Sequence, residues 1–145
     1  YYFILGRDDD VINVAGHRLG SREIEETLSS AEGLVESAVI GVKDELKGQA
    51  VTAFVVLQQG IPDSNADHEQ EFKRLQRHVD QQLGAIARPS TIYFVTALPK
   101  TRSGKIMRRT MLALIEGQPV GDISTIEDRQ ALDDIEQLLA GLKQS

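Results

Sequence analysis

The sequence contains no cysteine and no tryptophan, and aromatic residues make up only 5% of it. Without cysteine, the chain can form no disulfide, no thiolate nucleophile and no cysteine-based zinc site, and this fits a reducing compartment such as the cytosol. No apolar run approaches the ~20 residues that a bilayer-spanning helix needs. The rest of the composition, 41% apolar and 26% charged over 145 residues, is typical of one globular domain.

Common catalytic and cofactor motifs are absent as well. The three histidines have no HExxH spacing, and neither a GxSxG nor a GxGxxG sequence occurs. A phosphate-binding loop of the form GxxxxGK[ST] also fails, because Pro99 stands five positions before Gly104 and Ile106 follows Lys105. The sequence therefore gives no motif support for a zinc protease, an α/β-hydrolase, a dinucleotide-binding fold or a P-loop protein.

Charge is distributed unevenly along the chain. The net charge is −6, with 22 acidic and 16 basic residues, which disfavours nucleic acid and anionic lipid as partners. Residues 99–109 nevertheless contain five basic residues and no acidic one. A local cation cluster on an acidic protein favours a small anionic ligand over a long polyanion.

The first residues, YYFILGR, lack an initiator methionine and open in the middle of an apolar run. They also lack the charged region and the small-residue cleavage site of a signal peptide. This beginning predicts that the segment was cut from a longer polypeptide.

Hydrophobic periodicity predicts an α+β domain in which helices pack on a small mixed β-sheet, preceded by a short β-hairpin. The hairpin would pair residues 1–5 with residues 11–14 across a turn at 6–10. Ser21 is the expected N-cap of the first helix, and the glutamates that follow it complement the helix dipole. The other predicted strands are 35–42, 50–57 and 91–97, and the predicted helices run over 21–30, 67–83, 105–115 and 128–142.

Two glycine-containing stretches near the start are richer in functional residue types than folding requires. At 6–10, GRDDD sets three carboxylates beside an arginine, although a solvated turn explains these residues better when they are taken alone. At 13–20, NVAGHRLG combines glycines, which let a ligand approach the backbone, with Arg18, which can grip a phosphate. A plain strand-to-helix connection fits this second stretch equally well.

The third such stretch, LPKTRSGKIMRR at 98–109, presents Lys105 from a Thr-Arg-Ser-Gly segment near a predicted helix start. An ammonium group in that position suits a phosphate or carboxylate oxygen. The alternatives are a solvated basic helix face, a localisation tract or a nucleic-acid patch. The acidic remainder of the chain and the absence of aromatic residues near the patch disfavour nucleic acid.

Taken in this order, the three stretches resemble the C-terminal domain of adenylate-forming enzymes, in the acetyl-CoA and propionyl-CoA synthetase branch. The resemblance rests on GRDDDVINVAGHRLGSREIEE at 6–26, AVIGVKDELKGQAVTAFVV at 38–56 and LPKTRSGKIMRR at 98–109. GRDDD and NVAG are more similar to propionyl-CoA than to acetyl-CoA synthetases. The resemblance implies that a carboxylate and ATP form an acyl-adenylate and pyrophosphate, after which the CoA thiol displaces AMP.

For the first of these steps, the resemblance implies three roles. Lys105 is similar to the lysine that carries adenylation, and Arg7 to an arginine that contacts the ribose and phosphate of the adenylate. Asp9 resembles the hinge residue about which the whole domain, a mobile lid, turns between the two steps. Lys105 also resembles a lysine that protein acetyltransferases modify and deacylases restore, and acetylation would remove the charge that adenylation uses.

For the second step, the resemblance implies that Ala15, Gly16 and Arg18 face CoA, with the glycine leaving room for the pantetheine arm. The family often has serine in place of Ala15. A basic residue that some members place shortly before the equivalent of Gly84 aligns here with Asp80. The residues that can substitute for it are Arg77 and Arg88.

The partners implied by the resemblance are a large N-terminal domain absent from this sequence, ATP, a short-chain carboxylate, CoA, and the acetyltransferase and deacylase. Mg²⁺ is expected to accompany ATP in the full-length enzyme and not to bind this domain. The hinge is expected near 7–10, the lid over the whole of 1–145, and the chain alone is expected to be inactive. The resemblance further implies a cytoplasmic enzyme, or a mitochondrial matrix enzyme in a eukaryote, with no nucleic-acid or membrane partner.

Two other functions remain open from the sequence. The chain could be the lid of another adenylate-forming protein, such as a longer-chain acyl-CoA ligase or a peptide-synthetase adenylation domain, although the pattern at 13–18 counts against this. It could also be a non-enzymatic binding module that uses the basic loop on nucleic acid or on an acidic partner.

Overall fold

A computed structural model of the protein describes residues 11–46, 48–62, 64–117 and 129–144. The hairpin strand predicted at 1–5 lies outside these residues. The strands are β1 (Val11–Val14), β2 (His17–Gly20), β3 (Leu34–Asp44), β4 (Gly48–Leu57) and β5 (Thr91–Phe94), and the helices are α1 (Ser21–Ser29), α2 (Asn65–Leu83), α3 (Arg108–Glu116) and α4 (Arg129–Gln144), with a short 3₁₀ turn at Ala85–Ala87.

Strand β4 is the centre of a five-stranded mixed sheet. Along one edge it pairs antiparallel with β3, from Leu34↔Leu57 to Asp44↔Gly48. It also pairs in parallel with β5, while β1 joins it through Val14↔Gly48 and β2 pairs with β1. A parallel pair needs a crossover connection, and α2 supplies it between β4 and β5. The mixed sheet predicted from the sequence is confirmed.

Both faces of β4 are buried, which explains why its sequence is almost continuously apolar. One face packs with α1 and α2, and the other packs with α3 and α4, so the sheet is the middle of three layers. At the edge of the second cluster Tyr93 lies against Phe54, with ring centroids 5.1 Å apart, and burial raises the pKa of its hydroxyl. The helical residues that fill the two clusters are Ile24, Leu28, Leu75 and Val79 on the first face, and Met111, Ile135 and Leu139 on the second.

The start of the described chain differs from the sequence-based expectation. His17–Gly20, expected to connect a strand to a helix, is strand β2 and forms a hairpin with β1. Ala15 and Gly16 both have positive φ, 51° and 85°, which is the backbone of the two-residue turns that match strand twist. The expected N-cap at Ser21 is also wrong, because Gly20 takes the cap position as β2 runs directly into α1, and Ser21 is buried inside the helix.

Helix boundaries shift by small amounts for identifiable reasons. Helix α2 begins two residues earlier than expected because the side chain of Ser64 accepts a hydrogen bond from the Asp67 amide, and it ends at Gly84 as predicted. Strand β5 stops at Phe94, short of the predicted end at 97. No helix in the described ranges has both the length and the apolar character needed to cross a membrane.

Candidate functional site

Residues 99–107 form a tight turn that we call the Lys105 hairpin. Lys100 and Ile106 make an antiparallel bridge, and the Met107 amide donates to the Pro99 carbonyl at 3.0 Å. At the tip Gly104 has a φ of 89°, the left-handed conformation that glycine adopts without strain. This hairpin delays the start of α3 to Arg108, so the expectation that a helix begins at 105 is wrong.

Lys105 has a fixed backbone and an exposed side chain. Its amide donates to Thr101 Oγ1 at 3.2 Å, and its carbonyl accepts from the Thr101 amide at 2.9 Å. Within the described part of the chain, its Nζ atom has no hydrogen bond or ion pair. The ammonium group is therefore presented from a defined backbone position, and no described residue occupies it.

Each end of the Lys105 hairpin is joined to the body of the domain by an ion pair. Before the turn, Lys100 Nζ lies 2.6 Å from Glu36 Oε1 on β3. After it, Arg108 binds Glu25 on α1 through two hydrogen bonds, from Nε to Oε2 at 2.8 Å and from a terminal nitrogen to Oε1. Glu25 Oε2 also accepts from the Val39 amide at 2.7 Å. The Arg108 and Glu25 side chains are only 12% and 11% exposed, so Glu25 is buried and its arginine partner is mostly shielded from solvent.

The residues proposed to face CoA lie on the hairpin formed by β1 and β2. Ala15 and Gly16 are its exposed turn, and Arg18 is exposed on β2. Apart from the chain neighbours, no described heavy atom lies within 4 Å of the position that a Cβ would take at Gly16. Among the described residues, the turn therefore has open space beside Gly16.

Arg18 and Lys105 line the same open groove, of about 1360 Å³, between α1, the start of β3 and the Lys105 hairpin. Ala15 instead lines a separate cavity of about 390 Å³, together with Arg88. The structure thus brings together one residue expected in each step, and it sets Ala15 apart from them. Charged side chains that line the larger groove are Arg18, Arg22, Lys105 and Arg108, with Glu25, Glu26 and Glu36.

The remaining expected residues are distributed as follows. Asp80 forms an ion pair with Arg88, at 3.7 Å between partly exposed side chains, and Arg77 is exposed on α2. Arg7 and Asp9 lie outside the described residues. The described ranges contain no group of three or more histidine and acidic side chains arranged to hold a metal ion.

Sequence reasoning missed Glu25, which it used only as a charge near the helix N-terminus. The buried positions of α1 are Ser21, Ile24, Glu25 and Leu28, and their spacing is that of an inward helical face. An acidic residue within that face was the available signal, because a carboxylate is rarely buried without a cationic partner.

Comparisons with known proteins agree on one family. Residues 23–105 match the family model described as the AMP-binding enzyme C-terminal domain. The chain is 54% identical over 141 residues to a propionate–CoA ligase of Escherichia coli, and 48% identical over 143 residues to an acetyl-coenzyme A synthetase of Pyrobaculum aerophilum. These alignments cover 96% and 99% of this chain, which spans about a fifth of the length of either relative (22% and 21%).

A solved structure gives the same result. The crystal structure of an acyl-CoA synthetase from Brucella canis superimposes with a TM-score of 0.62 at 42% identity, over 70% of this chain and 18% of that one. The chain belongs to the family of AMP-binding enzyme C-terminal domains.

Proposed function

We propose that this chain is the mobile C-terminal lid of an ATP-dependent short-chain acyl-CoA synthetase. In the first step a carboxylate oxygen attacks the α-phosphorus of ATP, giving an acyl-adenylate and pyrophosphate. In the second, the CoA thiol attacks the acyl carbon and AMP leaves. The observation that carries the proposal is Lys105, an exposed ammonium without a described partner on an anchored hairpin, in a chain similar to propionate–CoA and acetate–CoA ligases.

In this proposal Lys105 acts in the first step. A fixed cation near the attacking carboxylate and the α-phosphate stabilises negative charge that develops in the transition state. Arg7 contacts the ribose and phosphate of the adenylate, and Asp9 is the hinge. The anchored backbone of Lys105 supports its part, because preorganised charge needs little rearrangement when the reaction occurs.

The second step uses the β1–β2 hairpin. Gly16 leaves space for the pantetheine arm, with Ala15 beside it, and Arg18 offers a cation to a CoA phosphate. The open surroundings of Gly16 and the exposure of Arg18 support these assignments. Since Asp80 is paired with Arg88, the CoA phosphates would meet a less basic surface near α2 than in family members with a basic residue there.

The wider setting follows from the same proposal. The large N-terminal domain would supply the acyl pocket and most of the ATP site, with Mg²⁺ entering as the counterion of ATP. A protein acetyltransferase and a deacylase would switch Lys105 by removing and restoring its charge. We place the enzyme in the cytoplasm, or in the mitochondrial matrix of a eukaryote, and propose propionate as its preferred short-chain acid.

The test separates the two steps in the full-length protein. Lys105→Ala should slow propionate-dependent ATP–pyrophosphate exchange by on the order of 10²–10³-fold, because a preorganised charge is lost. It should leave thioester formation from supplied propionyl-adenylate unchanged. Lys73→Ala is the control, since Lys73 is an exposed lysine of α2 paired with Glu69.

Gly16→Leu should have the opposite effect, blocking CoA and sparing pyrophosphate exchange. Because Gly16 has a φ of 85°, Gly16→Ala serves as the control that introduces left-handed strain with little bulk. If Lys105→Ala and Gly16→Leu impair the same half-reaction, the division of labour proposed here is wrong. Replacing propionate with acetate and longer acids in the exchange assay tests the choice of substrate.

A further inference from the structure

The two ion pairs beside the Lys105 hairpin join three parts of the domain that are distant in sequence. Glu25 and Arg108 are 83 positions apart, yet their side chains meet through two hydrogen bonds. Lys100 and Glu36 meet at the other end of the same hairpin. The hairpin is therefore attached at both ends, to α1 and to β3.

The carboxylate of Glu25 is the more constrained of the two acids. Oε2 accepts from both Arg108 Nε and the Val39 amide, at 2.8 and 2.7 Å, while Oε1 accepts from the second Arg108 nitrogen. One buried acid thus fixes α1, β3 and the first residue of α3 relative to one another. Because Arg108 stands three positions after Lys105, a shift of the arginine moves the hairpin that carries the lysine.

We propose that Glu25, acting through Arg108, is a positioning residue for adenylation, and that the Glu36–Lys100 pair is its second support. The inference rests on the proposed role of Lys105. Neither acid touches the reacting atoms in this account. They hold the lysine backbone where its ammonium can meet the developing charge, and a misplacement of about 1 Å can cost on the order of 100-fold in rate.

A variant that tests this proposal should remove the charge of Glu25 and keep the volume of its side chain. Glu25→Gln retains the shape and an acceptor for Val39, but it removes the charge that holds Arg108. In the full-length protein we expect kcat for propionate-dependent ATP–pyrophosphate exchange to fall by about 10-fold or more, with KM values changed little, as when an interaction with the transition state is lost. Thioester formation from supplied propionyl-adenylate should keep the wild-type rate.

Coupling to Lys105 distinguishes positioning from general support of the fold. Residues that act as a unit are strongly non-additive, so Glu25→Gln should cause no further loss in the Lys105→Ala background. Arg108→Lys, which keeps the charge but not the paired hydrogen bonds, should retain more exchange activity than Arg108→Met. Glu71→Gln is the matched control, because it breaks the Glu71–Arg74 pair on α2, a helix that packs on the opposite face of the sheet from α3.

A second variant covers the case in which Glu25→Gln does not fold. The Lys100 and Glu36 side chains are 34% and 29% exposed, so Glu36→Gln should fold and should also slow exchange selectively. The positioning role is overturned if the folded variants keep wild-type exchange, or if they slow both half-reactions equally. Should Lys105→Ala itself leave exchange intact, the proposed function of Lys105 fails first and this inference falls with it.

Discussion

Position 25 holds an acidic side chain where the periodicity of α1 calls for an apolar one. Its burial is tolerated because Arg108 and the Val39 amide satisfy both carboxylate oxygens. Removing one member of a buried ion pair is costly, because the other charge stays in a medium of low dielectric without compensation. At the scale of single residues, the stability of the domain therefore depends on this pair as well as on the apolar clusters.

Arg108→Met should lower the free energy of unfolding of this chain by about 3–5 kcal/mol, because it leaves the Glu25 charge buried and unpaired. The double variant Glu25→Gln/Arg108→Met should recover most of that loss, because it leaves no charge buried and the glutamine keeps an acceptor for the Val39 amide. Urea denaturation of the three proteins measures both values. A double variant no more stable than the single one would contradict this account of the pair.

At the scale of elements, the β1–β2 hairpin has a narrow attachment to the sheet. Its backbone register with β4 consists of Val14↔Gly48. The side chain of Gln49 extends this contact, because its Oε1 accepts from the Asn13 amide at 2.7 Å while its Nε2 reaches the Gly41 carbonyl at 3.4 Å. The Gln49 side chain thus supplies a hydrogen bond to β1 beyond the Val14↔Gly48 backbone pairing, next to the turn proposed to face CoA.

Gln49→Leu should loosen this hairpin without unfolding the domain. The Asn13 amide loses its acceptor, so its hydrogen exchange should become faster, and the free energy of unfolding should fall by about 0.5–1.5 kcal/mol. Amide exchange followed by NMR measures the first effect and urea denaturation the second. Unchanged protection of Asn13, with exchange of the β3–β4 amides also unchanged, would mean that Gln49 does not fix the hairpin.

How much of this could be predicted from the sequence depends on the range of the interactions. The apolar repeat of α2 predicted its buried residues Leu75 and Val79, because helical periodicity is a local signal. Strand β2 was missed because four residues after a two-residue turn give little periodicity. The partners of Glu25 and Lys100 were missed because these ion pairs form only when distant segments meet.

At the scale of the whole molecule, the cation cluster at 99–109 has a different meaning in the structure than in the sequence. Two of its five basic residues, Lys100 and Arg108, form the ion pairs with Glu36 and Glu25 that fix the hairpin. Lys105 is exposed and has no partner among the described residues. The cluster therefore both builds the hairpin and supplies its proposed reactive cation.

An anchored hairpin also constrains how the proposed enzyme can move between its two steps. Since both ends of the Lys105 hairpin are tied to α1 and β3, a motion of the loop alone would have to break the Glu36–Lys100 and Glu25–Arg108 pairs. In the proposed mechanism we therefore expect the lysine to be removed after adenylation by a rotation of the entire domain about a few backbone torsions, the role proposed for Asp9. Restricting those torsions should therefore slow the overall reaction more than a half-reaction that is measured alone.

Asp9→Pro in the full-length protein restricts φ at the proposed hinge to about −65°. We expect one half-reaction, measured alone, to keep its wild-type rate, while overall propionyl-CoA formation falls by about 10-fold or more because the rotation becomes limiting. Asp9→Ala, which removes the carboxylate but leaves the torsion free, should retain most of the overall rate. If Asp9→Pro and the wild type have equal overall rates, the hinge lies elsewhere in the chain. If Asp9→Ala and Asp9→Pro lose the same amount of activity, the effect comes from the carboxylate and not from the torsion.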